Sequence, residues 1–248
     1  MKTILKVKNV TKRFGGVIAL NNVSIDVYEK EFLGIIGPNG SGKTTLFNVI
    51  TGFIKPDKGR IIYMNKDITG MPPYKIARLG VARTFQIMKP LENLSVYDNV
   101  LIYALPRSKD VDEARDKTEK VLSLLDLWSR RDVLTKDLNA VEKRRLELAR
   151  AIVGDPKLLL LDEVLAGHSP GEIDKTLAIL KKIHESGVTI MMIEHVMRAI
   201  MKISERVIVL SYGNVIAEGP PEKISKDPKV IEAYLGEGFK KYLETNKT

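Results

Sequence analysis

The chain has 248 residues, a formal net charge of +9, 44% hydrophobic residues and no cysteine. That length and apolar content suit one large globular domain or two small ones with a sizeable core. The missing cysteine excludes disulfides, thiolate metal sites and thiol catalysis, and fits a reducing cytosol.

The positive charge is compatible with nucleic acid, anionic lipid or phosphate ligands, and equally with a solvated surface. The N-terminal Met1–Lys6 carries charge within its apolar part and is unlike a secretory signal. No stretch approaches the roughly 20 apolar residues of a membrane-spanning helix. If the protein serves a membrane, it is expected to do so from outside the bilayer.

In chain order, Ile4–Val7 and Ser24–Val27 read as short N-terminal strands. Phe32–Ile36 is a compact apolar run ending at a glycine, as in a buried strand, and Thr45–Ile50 reads as helix. Asp57-Lys58-Gly59 is a turn and Ile61–Tyr63 a short strand. From about Gln86 to Asp155 strand signals give way to helical spacing, with Ala114, Thr118, Val121, Leu122 and Leu125 on one face. This region reads as a helical subdomain, 86–155, inserted into an α/β core formed by 1–85 and 156–235. Strand signals return at Leu158–Leu161 and Val188–Ile193, each followed by a helical segment, which predicts parallel strands. Ile208–Leu210 and Val215–Glu218 flank Tyr212-Gly213-Asn214, a hairpin turn. The polar tail 236–248 is expected to fray.

Gly37-Pro38-Asn39-Gly40-Ser41-Gly42-Lys43-Thr44 matches the P-loop pattern in its required context, after an apolar strand and opening a helix. Glycines let the backbone wrap closely around phosphate, and the N–H groups at the helix start face the anion. Lys43 can reach the β- and γ-phosphates of ATP, and the Thr44 hydroxyl can coordinate Mg²⁺. Thr45 follows within the same first helical turn and is counted with the nucleotide contacts.

Leu158–Leu161 ends in Asp162-Glu163, which places two carboxylates at the C-terminal end of a strand, where α/β proteins bind ligands. Asp162 is placed to hold Mg²⁺, and Glu163 to orient or deprotonate an attacking water. Taken alone, an apolar run ending in Asp-Glu is as often a strand entering a polar loop. The upstream P-loop tips that balance. His195 follows another core-like strand, where it can reach a γ-phosphate or simply sit on the surface. Gln86 ends Val81-Ala82-Arg83-Thr84-Phe85 in a comparable position. Phe14 lies between the N-terminal strands, and its ring can stack on adenine or fill a core position.

Phe14, the P-loop, Gln86, a helical insert, Asp162-Glu163 and His195, in that order, resemble the ABC ATPase family over nearly the whole chain. Gly80–Gln86, Pro90–Val100, Ala166-Gly167-His168-Ser169-Pro170 and Asp227–Gly236 are similar to the ATPases of branched-chain amino acid uptake systems. The resemblance implies a P-loop nucleotide-binding core with an N-terminal antiparallel β subdomain and an inserted α-helical subdomain. It implies catalytic roles for Glu163, His195 and Gln86, a metal site at Thr44, Gln86 and Asp162, and ATP and Mg²⁺ as cofactors. It also implies a head-to-tail dimer, with itself or with a second ATPase subunit. The implied partners are membrane-spanning permeases at the cytoplasmic face and an extracytoplasmic substrate-binding protein. Two further readings stand beside transport: a soluble ABC ATPase acting on nucleic acid or ribosomes, and a regulatory nucleotide-binding subunit.

One segment clearly departs from the family, and Ser169 also stands where the family's D-loop usually has Asp. The family's signature, approximately Leu-Ser-Gly-Gly-Gln, is here Leu138-Asn139-Ala140-Val141-Glu142. The serine hydroxyl is lost, and β-branched Val141 replaces a glycine that lets phosphate approach. Asn139 and Glu142 instead have the spacing of a capping box, which predicts an intact helix N-terminus.

Overall fold

The structure, a computed structural model, describes residues 2–85 and 90–235. Its elements begin with β1 (Thr3–Phe14), β2 (Val17–Tyr28), β3 (Phe32–Ile36), α1 (Lys43–Ile50), β4 (Lys58–Tyr63), β5 (Lys66–Asp67) and α2 (Pro73–Arg78). They continue with β6 (Val81–Arg83), α3 (Val96–Ala104), α4 (Val111–Leu124), α5 (Ala140–Ile152), β7 (Leu158–Asp162) and α6 (Pro170–Glu185). The last are β8 (Thr189–Ile193), α7 (Met197–Ile203), β9 (Arg206–Ser211), β10 (Asn214–Gly219), α8 (Pro221–Ile224) and α9 (Pro228–Leu235). The chain divides into two compact units: Met1–Ile76 with Met191–Thr248, and Ala77–Ile190.

The first unit contains an antiparallel sheet in the order β2-β1-β4-β5. Here β1 and β2 run for 12 residues each, well past the short strands that alternation predicts. The reason is irregular pairing. Register shifts fall between Val7 and Val10 and again up to Arg13, while Asn9 (φ 51°) and Asn22 (φ 54°) adopt left-handed backbone. Each shift moves the following side chains to the other face, so the period of two is broken although pairing continues. Side chains hold the irregular points: Asn9 N–H donates to Ser24 Oγ (2.9 Å) and Asn22 N–H to Thr11 Oγ1 (3.1 Å).

The same unit holds β3, fully buried and parallel to β9, with Ile36 opposite Val209. β10 returns antiparallel through the hairpin turn Tyr212 (φ 46°)–Gly213 (φ 75°). Two consecutive positive φ values are those of a type I′ turn, whose twist matches that of the strands.

In the second unit β6 and β7 pair in parallel, with Arg83 opposite Leu160. All five residues of β7 are buried, as continuous apolar runs in parallel strands require. The predicted apolar face of α4 is buried at Ala114, Thr118 and Leu122, with Leu125 just beyond the helix. Capping sets the helix starts. Ser95 Oγ accepts from Asp98 N–H (3.0 Å) at α3, and Asp110 Oδ1 accepts from Glu113 N–H (2.8 Å) at α4. Buried Asn99 ties down the approach to α3 by bonding Leu91 N–H (2.9 Å) and the carbonyls of Leu91 (3.0 Å) and Ser95 (2.9 Å).

Candidate nucleotide and metal site

The phosphate loop lies in the first unit, in the turn from β3 to α1. Gly42 is the N-cap of α1, with φ 103° and no side chain to cap the helix. There is no acidic residue in the first turn. The positive end of the helix dipole is therefore left for an external anion. Two glycines are demanded by close backbone approach. A Cβ on Gly37 (φ 152°) would lie 2.0 Å from Leu210 O, and one on Gly42 would lie 2.3 Å from Ala19 O. Both obstacles are main-chain atoms, so neither can yield cheaply. The loop is gripped from elsewhere in the unit too: Gly213 N–H donates to Ser41 O (3.0 Å), and Asn21 N–H donates to Gly213 O (2.8 Å). The β9–β10 turn thus helps to shape the phosphate loop, which sequence reading missed. Tyr234 of α9 also reaches it, in a hydrogen bond with the Gly37 backbone, while burial raises its phenol pKa.

Lys43 is buried, and its ammonium donates to Gly37 O (2.8 Å), Pro38 O (3.0 Å) and Ser41 Oγ (3.4 Å). It therefore lies folded over the loop that it closes. Asn39, Gly40 and Thr44 are exposed, and Pro38 and Thr45 are half-buried. Phe14 is 48% exposed at the tip of the β1–β2 hairpin, with Lys12 Nζ 5.5 Å from its ring centroid. Of the two readings its position allowed, the core one is excluded. His195 follows β8 as an exposed residue, next to buried Glu194.

Asp162 and Glu163 lie in the second unit. Asp162 ends β7 with its side chain 1% exposed, and Arg83 Nη2 sits 2.8 Å from its Oδ2. Its N–H donates to Thr84 Oγ1 (3.1 Å), and Thr84 N–H donates to Leu160 O (3.0 Å). Glu163 has φ 52°, a left-handed conformation that costs a non-glycine residue on the order of 1 kcal/mol. Arg144 Nη1 on α5 donates to the Glu163 carbonyl (3.0 Å) and holds that turn. Also on α5, Glu147 bonds the Phe85 backbone and Arg150 (3.1 Å), and burial raises its pKa despite that arginine. Arg83, Thr84 and Arg144 escaped sequence reading as partners of Asp162-Glu163. Their type and proximity to the motif were visible, but the pairing is tertiary.

The departing signature segment behaves as its spacing predicts. Glu142 N–H donates to Asn139 Oδ1 (2.9 Å), and Asn139 N–H donates to Glu142 Oε2 (3.0 Å). Arg130 Nε lies 3.1 Å from Glu142 Oε1, so the carboxylate is turned back and compensated. Ser169 and Glu172 form a second capping box at α6. Burial lowers the pKa of the neighbouring His168. Gln86 and the tail 236–248 lie outside the described residues.

The donors suit the implied ligands. A glycine cradle at a helix start with no acid suits phosphate. The hydroxyl of Thr44 and the carboxylate of Asp162 are hard oxygens of the kind Mg²⁺ prefers. Among the described residues no group of three or more His, Cys, Asp or Glu side chains is arranged to hold a metal. Among the described residues, no helix is long and apolar enough to cross a membrane.

Comparison with known proteins finds relatives that span nearly the whole chain. A family profile described as ABC transporter matches residues 20–166, and one described as branched-chain amino acid ATP-binding cassette transporter matches residues 214–240. The high-affinity branched-chain amino acid transport ATP-binding protein LivG of Escherichia coli (strain K12) is 38% identical over 252 residues, covering 94% of this chain and 98% of its own. The corresponding protein BraF of Pseudomonas aeruginosa is 38% identical, covering 95% and 99%. The crystal structure of the ADP conformation of MJ1267, an ATP-binding cassette of an ABC transporter, superposes with a TM-score of 0.86 at 35% identity, covering 96% of this chain and 100% of that one.

Proposed function

Because the chain belongs to the ABC transporter family of ATP-binding proteins, we propose that it is the ATP-hydrolysing subunit of an importer for branched-chain amino acids or related small amides. The observation that carries this reading is the likeness to LivG and BraF across both chains, ending in a C-terminal segment characteristic of branched-chain transporters. The subunit works at the cytoplasmic face, docked to membrane-spanning permeases that are served by an extracytoplasmic substrate-binding protein. Helical residues 86–155 form the docking subdomain. Residues 1–85 and 156–235 form the nucleotide-binding core, and 236–248 a tail.

In this reading Gly37–Thr45 wrap the phosphates of ATP. Lys43 leaves its loop carbonyls for the β- and γ-phosphate oxygens, and Phe14 offers its exposed ring to adenine. Thr44, Asp162 and Gln86 hold Mg²⁺, which when bound neutralises charge across the phosphates. Glu163 orients the attacking water and accepts its proton, and His195 contacts the γ-phosphate. Asp162 and Glu163 divide the work through their surroundings. The guanidinium of Arg83 holds the Asp162 carboxylate at 2.8 Å, while Arg144 fixes the strained backbone that aims Glu163. The dimer partner is a second ATPase subunit whose intact signature completes the site on this chain's P-loop. A second copy of this chain would present Asn139 and Val141 there instead.

Two substitutions test the reading. Lys43→Ala removes a charge-assisted contact worth roughly 1.5–3 kcal/mol, so ATP affinity falls by about one to two decades. Unchanged affinity in an ATP titration overturns the assignment. Glu163→Gln keeps nucleotide binding and abolishes most turnover of the reconstituted transporter. The equivalent change in the partner costs less, and equal losses would remove the asymmetry.

A further inference from the structure

Asp162 is held by three consecutive residues that no part of the phosphate-binding pattern includes. Arg83 ends β6 and lies opposite Leu160 of β7. Its Nη2 is 2.8 Å from Asp162 Oδ2, with side chains 5% and 1% exposed. Thr84, itself 1% exposed, accepts from Asp162 N–H through Oγ1 (3.1 Å) and donates its own N–H to Leu160 O (3.0 Å). Phe85 is 38% exposed, and its ring lies 5.1 Å from the Arg83 guanidinium carbon. Main chain and side chain of Asp162 are thus both clamped by Arg83 and Thr84, and the Phe85 ring lies against the guanidinium.

A buried guanidinium against a buried carboxylate is costly to assemble and costly to break on one side only. At a carboxylate expected to hold a divalent cation it has a second consequence. Two cations must share one acceptor, and their mutual repulsion is screened little where water is excluded. The planar guanidinium of Arg83, which meets Asp162 Oδ2 through Nη2 and lies beside the Phe85 ring, holds the carboxylate more rigidly than a flexible ammonium would.

We propose that Arg83 is a positioning residue for the metal ligand Asp162: it holds the carboxylate in place when no metal is bound and sets metal affinity by competing for the same oxygen. This rests on the reading of Asp162 as a Mg²⁺ ligand. Arg83 neutralises the site without metal, keeps Asp162 in one orientation, and weakens the divalent cation's hold once it arrives. A nucleotide site that must release its product benefits from a metal that is not bound too tightly.

The two roles of Arg83 have opposite signs, and this separates the proposal from mere structural support. Neutral Arg83→Gln leaves a buried carboxylate short of one counter-charge. The metal-free protein should melt at lower temperature, while Mn²⁺ binds more tightly, by about a hundredfold or more for two cations a few ångströms apart at an effective dielectric near 20. Arg83→Lys keeps the charge but not the rigid planar guanidinium that meets Asp162 Oδ2, and should fall between wild type and Gln on both measures.

The experiment uses the full-length chain saturated with ADP. Mn²⁺ is titrated and its free aqua ion counted by electron paramagnetic resonance. Thermal melts are run alongside in EDTA. Asp162→Asn is the control for the premise: if its Mn²⁺ affinity equals wild type, Asp162 is not a metal ligand and the site reading fails. If Asp162→Asn binds Mn²⁺ more weakly while Arg83→Gln binds it no more tightly than wild type, the site reading stands and the role of Arg83 is overturned. Should Arg83→Gln not fold, Arg83→Lys decides alone: tighter Mn²⁺ binding than wild type supports the proposal, and no change or a loss overturns it.

Discussion

Removing the Asn139 side chain should loosen the start of α5 by an amount that can be worked out from its bonds. Asn139 Oδ1 accepts the Glu142 N–H at 2.9 Å, and Glu142 Oε2 accepts the Asn139 N–H at 3.0 Å. Asn139→Ala deletes the first bond outright and leaves an unpaired donor in the first turn, a loss of about 1 kcal/mol for an N-cap. Glu142 also meets Arg130 at 3.1 Å, with side chains 20% and 41% exposed. A pair that wet adds no more than about 1 kcal/mol, which Asn139→Ala leaves in place. Asn139→Ser keeps a good N-cap and should cost only a few tenths of a kcal/mol. It also supplies the hydroxyl that the family's signature carries. Hydrogen exchange in the first turn of α5 reads the cap directly. A loss of about 1 kcal/mol speeds local opening about fivefold, so Asn139→Ala should exchange about fivefold faster there and Asn139→Ser near the wild-type rate. Unchanged exchange in Asn139→Ala would refute the capping argument. Fast exchange in Asn139→Ser would show that the amide, rather than any short acceptor, is required.

Two further outcomes follow from the packing. Gly42→Ala puts a Cβ 2.3 Å from Ala19 O at φ 103°, whereas Gly40→Ala at φ 78° meets nothing within 4 Å. ATP affinity should therefore fall about tenfold or more in the first, and Gly40→Ala should cost only the backbone strain of about 1 kcal/mol; equal effects in a nucleotide titration would count against the close approach. Burial pushes the Tyr63 phenol up to about 12. The unfolded chain ionises near 10, so the folded state loses about 2 kcal/mol as pH rises from 10 to 12. Tyr63→Phe should abolish that alkaline loss in urea melts. It should also be at least as stable at pH 8, because the Tyr63 hydroxyl has no hydrogen-bond partner among the described residues.

The sequence by itself determined the motifs and their places along the chain. Gly37–Thr44 and Asp162-Glu163 are legible because each motif is a run of consecutive residues at a strand end. The capping box at Asn139 was legible for the same reason, since three residues span one helical turn. The apolar face of α4 was visible in its spacing, which depends only on the period of a helix.

What depended on non-local pairing was decided by the tertiary structure. The lengths of β1 and β2 were hidden, because register shifts at Asn9 and Asn22 broke the alternation on which a strand is recognised. The grip of Gly213 on Ser41 joins residues far apart in sequence, and nothing in a type I′ turn announces that it will also shape a phosphate loop. Whether Phe14 was core or exposed turned on where its hairpin ended. Above all, Arg83 belongs to Asp162 only because β6 lies beside β7 in register. A buried guanidinium meets its carboxylate through strand pairing, and burial makes that contact costly to break on one side only.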